Sequence, residues 1–331
     1  MNQEWTDFLA SRPATNPSGD EMNCVLSDLS HYGLIRVTGA DAETFLQGQL
    51  TNDVRLVSET HSNLAGWCNA KGRMIANFRC FKRDGDYYLQ TPGEHIPVVL
   101  KRLGMYVLRA QVSLTDASDD LMRFGLTGNG AESILASGFE NLPDAVNGIV
   151  QSGEMTLIRL AGATSRFEII GPAQALQTLW QQAETQAVVA TPDFWALQEI
   201  RAGVPTVFEE TREAFVPQMM NMQLVDGVSF TKGCYTGQEV VARMQYLGTL
   251  KRRMYLAHVD SATAPKPGDE LSSSESTSGQ GAGKVVDARA SGNGYDLLAV
   301  IEVASAQSGD VRLGDEGPLL QIQTLPYAFP E

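Results

Sequence analysis

The sequence predicts an α+β protein of several domains that ends in an all-β unit, and three observations carry that reading. The chain has 331 residues, which at roughly 100–200 residues per domain leaves room for two or three cores. Strand-like and helix-like runs alternate without a fixed period as far as Leu247-Gly248. After residue 250 only short alternating runs remain, over Arg253–Val259, Lys284–Ala288, Leu297–Val303 and Leu319–Thr324, separated by Gly, Pro and Ser. That pattern belongs to a sheet or a small β-barrel.

Residues 1–24 are polar and turn-rich, with Pro13, Pro17 and Gly19, and read as an arm over the surface. Tyr32–Gly39 is β-branched and closes on glycine, a strand. Asp41 can cap a helix with Glu43 in its first turn and Phe45, Leu46 and Leu50 as apolar positions. Two strand-like runs between Leu64 and Leu89 flank the turn Lys71-Gly72-Arg73, and Asp84-Gly85-Asp86 is a second tight turn. A helix over Pro97–Leu103 and a strand over Tyr106–Leu114 follow. Met122–Leu126 reads as strand, Gly128-Asn129-Gly130 as turn and Ala131–Ala136 as helix. Strands over Met155–Leu160 and Arg166–Ile170 lead to a helix from Ala173 to about Thr185. Thr191-Pro192 opens another helix, which stops at Gly203. The polar stretch Ser272–Gly283 reads as a mobile hairpin loop.

Composition narrows the function. Hydrophobic residues make up 43% and charged residues 19%, a globular balance. Lys and Arg total 25 against 39 Asp and Glu, a net charge of -14. Gripping phosphate backbones needs cations that displace counterions, so direct nucleic-acid binding is not expected. No basic stretch followed by an apolar run opens the chain, and no segment nears the roughly 18 uninterrupted apolar residues of a membrane helix. No membrane partner is expected. Cys24, Cys68, Cys80 and Cys234 are scattered without a CxxC pair, which suits a reducing cytoplasm. His31, His61, His95 and His258 are equally dispersed, so no metal site is expected.

The segment richest in chemistry is Ser229-Phe230-Thr231-Lys232-Gly233-Cys234-Tyr235-Thr236-Gly237-Gln238-Glu239. Val228–Phe230 reads as a strand, and Val240, Val241, Met244 and Leu247 recur at helical spacing. Thr236 and Glu239 have capping-box spacing, so a helix is expected just after Thr236. Cys234 would then precede a helix N-terminus, with Lys232 two residues away, and both effects favour the reactive thiolate. The bland alternative is a small buried hydrophobe, the commoner fate of a free cysteine.

Lys232-Gly-Cys-Tyr-Thr-Gly-Gln-Glu239 resembles the signature of the YgfZ family of folate-binding proteins, which are linked to iron–sulfur cluster maintenance and tRNA modification. Val37-Thr-Gly-Ala-Asp41 with Phe45-Leu-Gln-Gly-Gln-Leu-Thr-Asn-Asp53 is similar to that family's first strand–helix unit. Ala70-Lys-Gly-Arg73, Trp195-Ala-Leu197 with Ala202-Gly203, and Phe215-Val-Pro-Gln218 fall in the matching order. The similarity spans about residues 25–255. The family shares its fold with the glycine cleavage T-protein, a tetrahydrofolate-dependent aminomethyltransferase. The resemblance therefore implies three domains around a central folate site. These are a discontinuous α+β domain over 1–52 and 118–245, a second α+β domain over 53–117, both with antiparallel sheets, and a C-terminal small β-barrel over 246–331.

Two departures from the T-protein matter. Where that enzyme carries acidic residues after the Gly-rich turn, this chain has Ala76-Asn77, and where it has a pterin-contacting acid before an Ala-Gly pair, this chain has Arg201. A neutral Asn is no general base and an Arg accepts no N–H donors, so folate binding is expected and aminomethyl transfer is not. Trp195 falls where the family has a tryptophan implicated in folate binding, and Tyr32 where it has a second one. Without the resemblance, Trp195 beside Phe194, Leu197 and Ile200 would read as a core residue.

Three readings follow. The first is a tetrahydrofolate-binding (or one-carbon-folate-binding) accessory protein for iron–sulfur enzymes such as a tRNA methylthiotransferase. The second is a folate-dependent one-carbon transferase with Cys234 as nucleophile, and the third an acidic adaptor without thiol chemistry. Gly125-Leu-Thr-Gly128-Asn-Gly130 does not fit GxGxxG, and Gly279-Gln-Gly281-Ala-Gly283-Lys284 lacks a following helix, so neither predicts a nucleotide site. Lys251-Arg252-Arg253 reads as solvated surface.

Overall fold

The structure, a computed structural model, describes residues 2–17, 23–276 and 281–329. The chain forms two compact units, one of Met1–Gln47, Asp53–Asn63 and Phe78–Trp195, the other of Gly48–Asn52, Leu64–Asn77 and Ala196–Glu331. Part of the expected Ser272–Gly283 loop, residues 277–280, lies outside the described residues.

The first unit holds a six-stranded sheet in the order Val188–Ala190, Val25–Asp28, Met122–Thr127, Arg166–Gly171, Met155–Leu160, Ile149–Ser152. All pairs are antiparallel except Val25–Asp28 with Val188–Ala190. Side chains alternate between faces along a strand, and here the two faces differ in chemistry. Phe124, Leu126, Phe167 and Ile169 enter an apolar cluster with the helix Ala173–Ala183 and with Trp5 and Trp180. Trp5 and Phe124 each meet Trp180 edge-on, at 5.6 and 5.4 Å, contacts worth about 0.5–1.5 kcal/mol beyond area burial. The alternate residues Arg123, Gly125, Thr127, Arg166 and Glu168 occupy the other face and are also buried.

Trp5 corrects the expectation of a surface arm. Residues Gln3–Ala10 form a helix capped by Asn2, whose side chain accepts from the Trp5 N–H, and the Trp5 indole is fully buried with its Nε1 donating to Asp28. One large aromatic residue outweighs the polar composition around it.

A second antiparallel arrangement in this unit pairs Arg79–Arg83 with Asp86–Gln90, and Tyr32–Val37 with Tyr87–Pro92 and Ser113–Asp116. Leu34, Phe81 and Tyr88 pack with Ile158, Ile170 and Trp195 between the two sheets. The helix Ala42–Gln49 begins after Asp41 as expected, but the Asp41 carboxylate accepts from the Gln111 N–H. The strand expected over Tyr106–Leu114 is confined to Ser113–Asp116, because successive backbone turns and a left-handed Leu108 (φ 48°) occupy the residues before it.

In the second unit, the C-terminal strands form a sheet in the order Arg312–Leu313, Glu270–Ser272, Gly283–Ser291, Gly294–Glu302, Arg252–Val259, Gln321–Gln323. This is a curled half-barrel rather than the closed barrel expected. An isolated bridge, Arg312↔Leu319, stands where a ladder would have to close it, and Pro318 beside it has no N–H to donate. The helix Pro192–Arg201 ends at Gly203, whose φ of +67° only glycine adopts freely. Among the described residues, no helix is long and apolar enough to cross a membrane.

Candidate functional site

Four motif segments far apart in sequence meet in the second unit. The side chain of Thr51 donates to Gly227 O (2.7 Å) and accepts from the Gly66 N–H (2.7 Å), while the Ser229 N–H bonds Thr51 O (3.0 Å). Lys232 is buried, and its Nζ donates to Leu50 O (2.6 Å) and Asn52 O (2.9 Å) and lies 5.1 Å from the Tyr235 ring centre. The ammonium thus fastens the start of the loop to residues 50–52. A charged donor to each carbonyl makes these strong bonds.

The far end of the loop is fixed by two glycines. Gly237 has φ +83°, and a Cβ there would lie 2.4 Å from Asn69 O and 2.9 Å from Gly72 Cα. Gly72, at φ +69°, would place a Cβ 2.9 Å from Val240 Cβ. The Asn69–Arg73 turn therefore seats against the first turn of the helix Gln238–Leu247 through two bare backbones. Gln218 completes the clamp, its Nε2 donating to Val241 O at 2.6 Å. Two expectations are corrected here. The helix N-cap is Gly237, with no side-chain cap from Thr236, because the left-handed backbone that admits the Asn69–Arg73 turn replaces a capping box. Residues Val228–Phe230 form no strand; the Ser229 N–H bonds Thr51 O and its Oγ accepts from the Lys232 N–H.

Between these anchors Cys234 is exposed, whereas Cys24, Cys68 and Cys80 are buried. A Cβ at Gly233 would meet nothing within 4 Å, so glycine there leaves the approach to the thiol open rather than relieving a clash. Tyr235 is buried, Thr236 and Gln238 are half-buried, and Glu239 is exposed at the helix start. Burial pushes the Cys68 thiol up to about 12 and the Cys24 thiol up to about 11, which disfavours their thiolates. One fast-alkylating thiol per native chain is therefore expected. Iodoacetamide labelling followed by peptide mass spectrometry should place it at Cys234, and even labelling of all four would contradict the geometry.

Asn77 and Arg201, expected to stand where the T-protein has its acids, are each held by neighbouring groups. Asn77 spends both ends of its amide on one backbone segment, donating to Pro205 O (2.9 Å) and accepting from the Val207 N–H (2.8 Å). Arg201 donates through Nε to Asp296 (3.0 Å) and through Nη2 to Ser291 Oγ (3.0 Å), and Asp296 also meets His258 Nδ1 at 2.8 Å.

The two aromatic residues assigned to folate belong to the first unit, where Tyr32 packs against the cluster that contains Trp195. Trp195 is 1% exposed and its ring packs on strand Met122–Thr127, where a Cβ on Gly125 would come within 2.3 Å of it. The Arg166 guanidinium stands 4.5 Å from the ring centre. Ser27 and Glu168 lie directly across from Gly125 in the ladder, so both point to the face that Trp195 covers. Arg123, on the same face, donates to the carbonyls of Tyr32, Ser118 (3.3 Å) and Leu121 (2.8 Å). Burial lowers its pKa, and Glu168 is the first of the nearby carboxylates that oppose the shift. Tyr32 and Arg123 also line a cavity of about 250 Å³. This buried polar face is missing from the sequence reading. Arg166-Phe-Glu-Ile-Ile carries the alternation of a strand with one face in water, and only the structure covers that face.

Among the described residues no group of three or more His, Cys, Asp or Glu could hold a metal ion. The family model described as the GCVT N-terminal domain matches residues 21–188. The tRNA-modifying protein YgfZ of Colwellia psychrerythraea is 33% identical over 318 residues, covering 92% of this chain and 93% of its own length. Its counterpart in Klebsiella pneumoniae is 30% identical, covering 98% and 99%. The solved glycine cleavage system aminomethyltransferase T of Bartonella henselae matches with a TM-score of 0.72 at 16% identity, over 95% of this chain and 91% of that one, a likeness of fold. With these matches along nearly its whole length, the chain belongs to the YgfZ family, on a fold related to that of the glycine cleavage T-protein.

Proposed function

We propose that this chain is a tetrahydrofolate-binding accessory protein that supports iron–sulfur enzymes of tRNA modification, with Cys234 as its chemically active group. The observation that carries the reading is the clamped loop. Four motif segments hold one cysteine exposed, while the other three are buried. The curated relatives are named as tRNA-modifying proteins, and that role is extended here to this chain.

In this reading the folate half belongs to the first unit. A pterin presents a flat ring and an edge of N–H donors. Tyr32 offers an aromatic face at the cavity it lines, Trp195 is buried on Gly125 in the cluster that Tyr32 packs against, and Glu168 is a buried carboxylate on the same sheet face as Arg123. A carboxylate accepts such donors in pairs. A bound tetrahydrofolate would supply a one-carbon unit. The protein's part would be to hold the ring against Tyr32 at the cavity it lines with Arg123, which keeps the Tyr32 backbone in place, with Trp195 buried in the cluster that Tyr32 packs against. Lys232 fixes the loop that presents Cys234. The transferase alternative ranks second, because the Asn77 amide is neutral and both its ends are bound to backbone.

Calorimetric titration with tetrahydrofolate tests the folate half. Wild type should bind, Tyr32→Ala should bind about tenfold more weakly through loss of ring area, and Trp195→Phe, which loosens the cluster that Tyr32 packs against, should also weaken binding. A folded wild-type sample that takes up no tetrahydrofolate would sink the assignment and move the adaptor reading to first place.

A further inference from the structure

The segment after the helix Ile96–Gly104 has no part in either site. Between Glu94 and Asp116 the chain carries Lys101, Arg102 and Arg109 and no carboxylate, in a protein with 39 acids against 25 bases. In the same segment Met105, Tyr106 and Leu108 are 63%, 45% and 87% exposed, three large apolar side chains within four residues. Lys101 and Arg109 are exposed beside them.

This knuckle is built and anchored. The N–H groups of Tyr106, Val107 and Ala110 close successive turns onto Leu103 O, Gly104 O and Val107 O. Its far end is tied to the Gly39–Asp41 corner, where Asp41 Oδ2 accepts from the Gln111 N–H at 2.7 Å and a Cβ on Gly39 would sit 2.0 Å from Gln111 O. Leu108 itself has φ 48°, a left-handed conformation that costs a leucine free energy and that glycine or asparagine would adopt more easily. The chain thus holds an exposed apolar residue at the tip of a rigid turn in an unfavourable conformation. Lys101 and Arg102 also complement the helix C-terminus, but that role explains neither Arg109 nor the apolar tip.

We propose that the knuckle Lys101–Arg109 is a docking surface for an acidic protein partner, one whose face sets Asp and Glu around an apolar hollow that receives Met105 and Leu108. An apolar centre with a cationic rim is the anatomy of a protein interface, and the rim is opposite in sign to the rest of the chain, which steers the encounter. RNA is the less favoured occupant, because the two most exposed apolar side chains, Leu108 and Met105, offer no ring to stack on a base and Tyr106 between them is the less exposed. This inference rests on the accessory reading, and the partner it names is the iron–sulfur client.

The test uses the full chain in cells lacking its gene, with methylthiolated adenosine in tRNA measured by nucleoside mass spectrometry. The variant Leu108→Asn/Arg109→Glu keeps the left-handed turn while removing the apolar tip and reversing one rim charge. Wild type should restore the modification. The variant, with unchanged thermal unfolding and unchanged tetrahydrofolate binding, should restore about tenfold less. Full restoration by the variant overturns the docking surface alone, whereas failure of wild type to restore overturns the accessory reading and this inference together. A mobility shift of total tRNA by wild type that the variant loses would reassign the knuckle to RNA and overturn the protein partner.

Discussion

Gly237→Val destabilises the protein by about 3 kcal/mol or more, while Gly233→Ala, four residues earlier in the same motif, stays within about 0.5 kcal/mol of wild type. The contrast comes from what each added Cβ meets. At Gly237 the backbone is left-handed and the new atom falls 2.4 Å from Asn69 O and 2.9 Å from Gly72 Cα, both main-chain atoms that cannot swing aside. A β-branched side chain adds its own penalty at positive φ. Relief would require the Asn69–Arg73 turn to leave the helix Gln238–Leu247, exposing Val241, which is fully buried. At Gly233 nothing lies within 4 Å. Denaturant unfolding of the two variants checks the prediction, and equal losses would show that the two glycines do not have these separate roles. Gly237→Val should also slow the recovery of an exposed Cys234 on refolding, since the clamp sets the loop.

Much of the loop was legible in the sequence, because its parts are local. Glycines flanking a cysteine ahead of apolar residues at helical spacing mark a tight turn into a helix, and the helix begins at Gln238. The clamp was not legible. That Gly72 and Gly237 touch, that Gln218 reaches Val241 O, and that Lys232 is bound to Leu50 and Asn52 are contacts across long separations that no single-sequence pattern encodes. The capping-box spacing of Thr236 and Glu239 misled for the same reason, as a tertiary contact took over the job of the cap. Trp5 shows the opposite failure. A polar composition hid one aromatic residue whose burial decides the place of the helix Gln3–Ala10. On the first unit's sheet, the strands expected over Met122–Leu126 and Arg166–Ile170 are present, but alternation cannot tell a solvent face from one covered by Trp195, and the sequence alone does not mark Glu168 and Arg123. Four C-terminal strands were placed within about three residues and Glu270–Ser272 and Arg312–Leu313 were missed, yet closure of a barrel depends on edge pairing, which Pro318 and the short strands Arg312–Leu313 and Gln321–Gln323 interrupt.

The exposed thiol is the point on which the functional account turns. Serine preserves the size and hydrogen bonding of cysteine but cannot supply a thiolate at neutral pH. Cys234 is exposed and makes none of the clamp's hydrogen bonds, so Cys234→Ser should fold and unfold like wild type and should keep its affinity for tetrahydrofolate. A loss confined to cellular function would then belong to the thiol. The most direct measurement is methylthiolated adenosine in the tRNA of cells lacking this gene, complemented with wild type or with Cys234→Ser at matched protein levels. The account predicts restoration by wild type and near-complete loss with Cys234→Ser. Full restoration by Cys234→Ser would contradict it and leave the protein an adaptor whose conspicuous cysteine does no chemistry.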